Sequence, residues 1–361
     1  PIFQSADAVL LTGAENLHYF TGFRGGEGIA LLGKTGGYLF VDSRYTVEAN
    51  RDARDVQVIE YQMKTRNAQI EEKLHALGVR TLGFEGSVMT VDTYTAFCAA
   101  WQSVEWVDCG RALTEIRMVK NEEELALLRR AEQIGVDAYL RVLPMIKPGV
   151  RECEIAAELE YQMRKLGADG MSFETIVVSG IKSSMPHGKP DAKKIANGDF
   201  VTMDFGCRVG GYCSDMTRTV VVGKASEEQK KVYDTVKRAQ QTGLDVIRAG
   251  ISGAEADKAA RDVIAAAGYG AYFGHSLGHG VGLLIHELPN LSPGSTVCLA
   301  EGMIVTCEPG IYIPDFGGVR IEDILDALEH PVQVTEIAVN REERIPMINV
   351  VAKPLIGPSP K

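Results

Sequence analysis

Three histidines stand close together near the end of the chain and could take part in catalysis or metal binding. His275, His279 and His286 fall within twelve positions, although the whole sequence has only seven histidines. Glycines separate them, and glycine permits strained turns and close approach of the backbone to a ligand. A lone histidine is more often a satisfied core residue, but this clustering favours a functional site.

Two carboxylates lie on a predicted β-hairpin that turns at Gly210-Gly211. In that register Asp204 lies opposite Thr217, and Asp215 is its diagonal neighbour on the same face. Two buried carboxylates would repel each other, and a cation between them would remove that cost. The alternative is that Asp215 pairs with Arg218 or faces water. The hairpin alone does not decide between the two.

An internal repeat indicates how further ligands reach the same place. Two segments that are 101 positions apart each lead through a glycine into a predicted helix, and each helix ends at a second glycine. Two later segments also align, and they place Asp204 and Glu308 at equivalent positions of two strands. The paired segments are 147–167 with 248–268 and 195–206 with 299–310. Related halves that face each other would bring both acids to one central site.

The candidate ligands are four carboxylates and one imidazole. This donor set suits hard or borderline divalent ions such as Mn²⁺, with Co²⁺ or Zn²⁺ as alternatives, rather than the sulfur-rich site of structural zinc. Four negative charges exceed what one ion needs, so we expect two ions. The five candidate ligands are Asp204, Asp215, His279, Glu308 and Glu322.

The elements that position these residues follow from hydrophobic periodicity. Strand and helix signals alternate over the first ~110 residues, which favours an α/β layer structure. From Asn121, which forms a predicted capping box with Glu124, the pattern becomes helical. Predicted strands in the first part are Ala8–Thr12, Gly28–Leu32, Tyr38–Val41, Val56–Tyr61, Thr81–Glu85 and Val104–Val107.

Composition and charge narrow the class of protein. The net charge of -10 argues against a nucleic-acid or membrane partner, which would need clustered lysine and arginine. Seven scattered cysteines without a C-x-x-C motif indicate reduced thiols and predict a cytoplasmic location. The uncharged stretch Val263–Ile285 is long enough to span a bilayer, but its six glycines and two histidines favour a buried segment instead.

Several strings resemble those of the pita-bread metallopeptidases, in particular aminopeptidase P and prolidase. They are VTMDFGCRVGGYCSDMTRT, HSLGHGVG, CEPGIY and GVRIED. The resemblance covers nearly the whole chain. It implies an α/β creatinase-type N-terminal domain with a mixed sheet at residues 1–115. It also implies an α+β pita-bread catalytic domain with a pseudo-two-fold repeat at residues 116–355.

The resemblance assigns roles to individual residues. The five candidate ligands match the family's metal ligands, with Asp215 and Glu322 in bridging positions, and Glu308 also matches the catalytic acid–base. Four further residues match active-site positions, namely His187, His275, His286 and Arg320.

The implied activity is hydrolysis of the bond between an N-terminal residue and a following proline, by a hydroxide that two metal ions activate. The substrates would be proline-containing peptides, and the enzyme would form a homodimer. The alternatives are a prolidase restricted to Xaa-Pro dipeptides, a methionine aminopeptidase, a creatinase, and a non-enzymatic pita-bread binding module. The sequence alone does not separate a dipeptidase from an enzyme that accepts longer peptides.

Overall fold

The computed structural model describes residues 2–327, so residues 328–355 of the predicted catalytic domain lie outside the described part. The chain divides into two compact units, of which the first ends at Arg117 and the second begins at Met118. The predicted boundary between residues 115 and 116 falls inside a helix that spans Gly110–Met118.

The N-terminal unit is built on one mixed sheet of six strands. Its helices are α1 (Ile2–Ser5), α2 (Ala14–Thr21), α3 (Thr46–Asp52), α4 (Arg66–Ala76), α5 (Val91–Ala100) and α6 (Gly110–Met118). Its strands are β1 (Ala8–Leu11), β2 (Ile29–Gly33), β3 (Gly36–Val41), β4 (Val56–Glu60), β5 (Thr81–Phe84) and β6 (Glu105–Asp108). The strand order is β4-β3-β2-β1-β5-β6, with β2 antiparallel to both neighbours and β4, β5 and β6 joined in parallel pairs. All six predicted strands are confirmed.

The central strand of this sheet is buried on both faces. Val9 and Leu11 of β1 pack in one apolar cluster, and Ala8 and Leu10 pack in another. Successive side chains of a strand point to opposite faces, so the two clusters lie on the two sides of the sheet. The unbroken apolar sequence of β1 is what such double burial requires.

The second unit consists of two similar halves. The first half contains α7 (Glu122–Val142), α8 (Glu152–Lys165), β7 (Gly170–Met171), β8 (Ile176–Ser179), β9 (Phe200–Phe205), β10 (Cys207–Val209), β11 (Tyr212–Cys213) and β12 (Met216–Val221). The second half contains α9 (Glu227–Val246), α10 (Gly253–Ala266), β13 (Gly278–Gly280), β14 (Glu287–Leu291), β15 (Ile304–Cys307), β16 (Gly310–Ile313), β17 (Gly317–Arg320) and β18 (Asp323–Asp326). Short 3₁₀ helices occupy Leu143–Met145, Gly180–Ser184 and Gly270–Tyr272.

The predicted repeat is visible in the backbone. Helices α8 and α10 have equal lengths and start 101 positions apart. Gly149 and Gly250 both have φ of 92°, and their amides donate to the carbonyls of Ile195 and Leu299. Each half therefore folds the same way before its acid-bearing strand.

The predicted hairpin register is also confirmed. Strands β9 and β12 are antiparallel, and Asp204 lies opposite Thr217. The inner strands β10 and β11 connect through Gly210 and Gly211, whose φ values are 59° and 86°. Positive φ at both central residues defines a type I′ turn, which glycine adopts without steric cost.

Four sheets bring the strands of this unit together. Their orders are β12-β9-β8, β11-β10-β7, β14-β13-β15-β18 and β16-β17. The Asn121–Glu124 capping box is present at the start of α7. Over residues 2–327, no helix is both long and apolar enough to cross a membrane.

Candidate metal centre

All nine predicted site residues line one cavity in the second unit. The cavity has a volume of about 920 Å³, and its walls come from both halves of the repeat. Asp204 lies on β9, Asp215 precedes β12, and His279 lies on β13. Glu308 and Glu322 follow β15 and β17. The strands of the two halves thus bring these five residues to one cavity.

Glycines let the histidine-bearing strand pack closely between its neighbours. A Cβ added to Gly278 would lie 2.1 Å from the carbonyl oxygen of Thr306, and one added to Gly280 would lie 2.3 Å from that of Leu288. The close approach expected from the glycine-rich sequence is therefore an approach between strands. It fixes the position of His279 between β14 and β15.

Three donor residues meet closely enough to share a metal ion. One ligand atom from each of Asp215, His279 and Glu322 lies within 4.8 Å of the others. His279 Nε2 is also 3.3 Å from Glu308 Oε1 and 3.6 Å from Asp215 Oδ2. Residues from both halves of the repeat contribute to this group.

The tautomer of His279 follows from its hydrogen bond. Its Nδ1 lies 3.1 Å from the carbonyl oxygen of Gly280, which can only accept, so Nδ1 carries the proton. Burial lowers the pKa of this imidazole to about 4, and the ring is neutral at physiological pH. The Nε2 lone pair consequently points toward carboxylate oxygens, an arrangement that a cation stabilises.

The carboxylates carry more negative charge than this buried site can hold without a cation. Burial and mutual repulsion raise the pKa of Asp215 and of Glu322 well above their ordinary values, and mainly burial raises that of Glu308 to about 7. Asp204 Oδ1 and Glu322 Oε1 are buried and accept no hydrogen bond. Unsatisfied buried carboxylate oxygens are rare because their desolvation is costly. This donor set fits divalent metal ions.

Hydroxyl groups orient two of these carboxylates. Thr217 Oγ1 donates to Glu322 Oε2 over 2.7 Å, and Thr306 Oγ1 donates to Glu308 Oε1 over 3.1 Å. The amide of Asp215 donates to Glu132 Oε1 over 2.8 Å. Outer partners of this kind fix ligand geometry. Sequence reasoning missed all three, and only the spacing of Thr306 from Glu308 gave a local signal.

Arg320 is buried beside the carboxylates. Its Nη2 is 2.5 Å from Asp204 Oδ2, and its Nε donates to Thr217 Oγ1 over 3.0 Å. Its Nη1 contacts the hydroxyl of Tyr312 at 2.9 Å and the carbonyl of Pro186 at 3.4 Å. All three guanidinium nitrogens therefore have protein partners, and the side chain holds Asp204 in place.

Tyr312 joins Arg320 to His275 and was missed at the sequence level. The His275 Nδ1 lies 2.8 Å from the carbonyl of Ser276, so Nε2 accepts from the Tyr312 hydroxyl over 2.9 Å. Burial lowers the pKa of His275 to about 4 and keeps it neutral. The tyrosine belongs to the CEPGIY string, but a tyrosine on a short apolar strand is more often a core residue.

His187 and His286 lie exposed on the cavity wall. The ring of His286 packs edge-on against that of His279, with centroids 4.4 Å apart. Neither residue belongs to the close group of donors. The alternative pairing of Asp215 with Arg218 is not observed, because Arg218 Nη2 pairs with Asp323 Oδ1 at 2.6 Å.

The chain matches two known families over most of its length. Residues 126–326 match Metallopeptidase family M24, and residues 4–119 match the Creatinase/Prolidase N-terminal domain. The uncharacterized peptidase YqhT of Bacillus subtilis is 44% identical over 317 residues, which are 88% of this chain and 90% of that protein.

Solved structures agree with both matches. The Xaa-Pro dipeptidase from Bacillus anthracis superposes with a TM-score of 0.88 at 40% identity and covers 91% of this chain and 94% of its own. An X-Pro aminopeptidase from Thermotoga maritima gives 0.85 at 37% identity, covering 90% and 93%. The pita-bread fold and the creatinase-type domain expected from the sequence are confirmed. Residues 126–326 match the family's catalytic domain, and the buried donor set fits divalent ions. The chain therefore belongs to metallopeptidase family M24.

Proposed function

We propose that this enzyme is an Xaa-Pro peptidase, which hydrolyses the bond between an N-terminal residue and a following proline. One observation carries the proposal: donors of Asp215, His279 and Glu322 converge within 4.8 Å in a cavity that also presents Glu308 and three further histidines. The names of the solved relatives support the substrate class. The match to a Creatinase/Prolidase N-terminal domain favours this branch over methionine aminopeptidase.

Five residues would hold two divalent ions, with Mn²⁺ the expected metal. They are Asp204, Asp215, His279, Glu308 and Glu322, with Asp215 and Glu322 between the two ions. When bound, such ions supply a hydroxide nucleophile at neutral pH and polarise the substrate carbonyl.

Glu308 would move the proton. Thr306 Oγ1 donates to Glu308 Oε1. The Glu308 side chain is 17% exposed and lines the cavity. The carboxylate would accept a proton from the attacking water and deliver it to the proline nitrogen as the peptide bond breaks. Without that second transfer the amide nitrogen would be a poor leaving group.

The wall histidines would act on the carbonyl oxygen. His187 and His286 are exposed to the cavity and do not belong to the donor group. An N–H aimed at the oxygen as negative charge develops lowers the barrier selectively, because that charge is absent from the ground state. His275 would contribute a fixed ring face near the proline, since both its nitrogens are engaged.

The cavity suits the residues on both sides of the scissile bond. Its carboxylates attract the free amine of the substrate, which limits cleavage to one residue. Proline lacks an N–H and has a fixed φ, so a rigid site can accept its ring without needing that donor. A volume of about 920 Å³ is near the upper end of the usual range for ligand sites, ~300–1,000 Å³, which favours room beyond a dipeptide.

The test is metal removal and add-back followed by three substrates. Ala-Pro and Ala-Pro-Ala-Ala should be cleaved after Mn²⁺ is restored, and Ala-Ala-Ala should not. Cleavage of Ala-Pro alone would support the restricted dipeptidase. Strong cleavage of Ala-Ala-Ala with neglect of both proline peptides would refute the proposal. The homodimer and the cytoplasmic location remain predictions, and sedimentation velocity would measure the first.

A further inference from the structure

We infer that Lys189 binds the C-terminal carboxylate of short substrates and makes the enzyme prefer peptides that end soon after proline. The inference rests on the proposed Xaa-Pro activity and adds the charge at the far end of the substrate.

Within residues 2–327, lysine or arginine lines the cavity at two positions, Arg320 and Lys189. The guanidinium of Arg320 is only 4% exposed, and its three nitrogens contact protein oxygens. It cannot reach a substrate carboxylate without releasing Asp204. The side chain of Lys189 is 77% exposed. Lys189 is therefore the cavity-lining cation of the described chain that can approach a substrate.

The present partner of Lys189 can be exchanged for a ligand. Its Nζ lies 2.8 Å from Glu174 Oε2, and the Glu174 side chain is 83% exposed. Ion pairs this exposed contribute little to stability, because water solvates both charges. A substrate carboxylate at the cavity mouth would compete with Glu174 at little cost. Ammonium groups bind carboxylates as mobile point charges, which suits chain ends at slightly different positions.

The position of the pair sets the length of substrate that it can recognise. Ile176 lies opposite Asp204 across β8 and β9, and Glu174 precedes Ile176 by two residues. Two residues span at most about 7 Å, and paired Cα atoms are about 5 Å apart. The Glu174 backbone thus lies within roughly 12 Å of the Asp204 backbone, the reach of about three or four extended residues. This upper limit corresponds to a substrate of at most about three or four residues, so peptides that end one to three residues after the scissile bond would place their carboxylate near Lys189.

The loop that carries Lys189 is firmly attached at its base. The buried carboxylate of Glu152 accepts hydrogen bonds from the amide and hydroxyl of Ser179 and from Lys182 Nζ, all within 2.8 Å. Farther along, the carbonyl of Pro186 accepts from Arg320. Beyond Lys189, Asp191 Oδ2 accepts from Lys182 Nζ over 2.7 Å. The backbone is thus held on both sides of Lys189, which lowers the entropic cost of binding.

The experiment compares free acids with C-terminal amides. kcat and KM are measured for Ala-Pro-Ala and Ala-Pro-Ala-amide with the Mn²⁺-loaded wild type and with Lys189→Gln, Lys189→Arg and Glu174→Gln. Lys230→Gln is the matched control, because Lys230 forms a comparable surface pair with Glu227 at 2.6 Å and does not line the cavity. The readout is the ratio of kcat/KM for acid over amide, which cancels effects common to both substrates.

Lys189→Gln should lower the acid-to-amide ratio about two- to fivefold through KM, with kcat nearly unchanged, because an ion pair at an exposed site is weak. Lys189→Arg should keep most of the preference, Glu174→Gln should increase it, and Lys230→Gln should leave it unchanged. An unchanged ratio in Lys189→Gln, or an equal loss for both substrates, overturns the inference while the Xaa-Pro activity stands. A wild type that cleaves Ala-Pro but neither tripeptide also overturns the inference, whereas one that cleaves none of the three refutes the proposed function itself.

Discussion

Replacing Lys120 with methionine should destabilise the second unit by about 3–5 kcal/mol, the usual cost of removing one partner of a buried ion pair. Lys120 Nζ lies 2.8 Å from Glu287 Oε1, and the two side chains are 1% and 2% exposed. The ammonium also donates to the carbonyl of Met118. Methionine fills similar volume but removes the ammonium that contacts the Glu287 carboxylate.

A matched surface pair shows why burial sets this magnitude. Lys230 and Glu227 are 2.6 Å apart with side chains 41% and 89% exposed, so Lys230→Gln should cost at most about 0.5 kcal/mol. For a domain of 150–250 residues, 1 kcal/mol shifts Tm by about 2–4 °C. Lys120→Met should therefore lower Tm by about 6–20 °C, and the control by about 2 °C or less.

Thermal and urea unfolding followed by circular dichroism would measure both variants under identical metal loading. The double variant Lys120→Met/Glu287→Met should recover most of the loss, because an apolar pair of similar volume often replaces a buried ion pair without net cost. A loss in Lys120→Met no larger than that in Lys230→Gln would refute the reasoning. A double variant that is less stable than Lys120→Met would also refute it.

Three further predictions concern the metal centre and pH. Asp215→Asn should lose bound metal, measured by elemental analysis, and nearly all activity, while the N-terminal unit stays folded. Full metal content with normal turnover would contradict the assignment of Asp215 as a metal ligand. His286→Ala should lower kcat by about 10²-fold with metal content unchanged, since it removes one stabilising donor, and metal loss would instead make His286 a ligand. Burial and Arg24 lower the pKa of His18 to about 4. The folded protein therefore binds a proton at His18 less readily than the unfolded chain does. The free energy of unfolding should consequently fall as pH drops from about 6.5 toward 4. Urea unfolding at pH 7 and pH 5 should show about 1–2 kcal/mol less acid destabilisation in His18→Gln than in the wild type, and identical pH dependence would disprove the assignment.

Features set by local sequence were predicted well. The type I′ turn at Gly210-Gly211 fixes the register that places Asp204 opposite Thr217, and a turn with positive φ at two positions leaves few alternatives to glycine. The capping box at Asn121 likewise depends on residues three positions apart. Short-range chemistry of this kind is readable because the chain itself brings the partners together.

Contacts between distant segments could not be predicted in the same way. Arg320 and Asp204 are separated by 116 positions, and Lys120 and Glu287 by 167. The sequence suggested that Arg320 lies near the site, but only the fold shows that its nitrogens are occupied. The role of Tyr312 depends on the position of His275 in space, which no periodicity encodes.

The candidate metal centre draws its donors from both halves of the internal repeat, and neither half has the full set alone. Asp204 and Asp215 come from the first half, whereas His279, Glu308 and Glu322 come from the second. Lys224 is an exposed residue between β12 and α9, where the chain passes from one half to the other. A protein cut there would yield two fragments that each carry an incomplete set of donors, so metal-dependent turnover would report their reassociation. Turnover recovered on mixing the two fragments would therefore measure how well they reassemble.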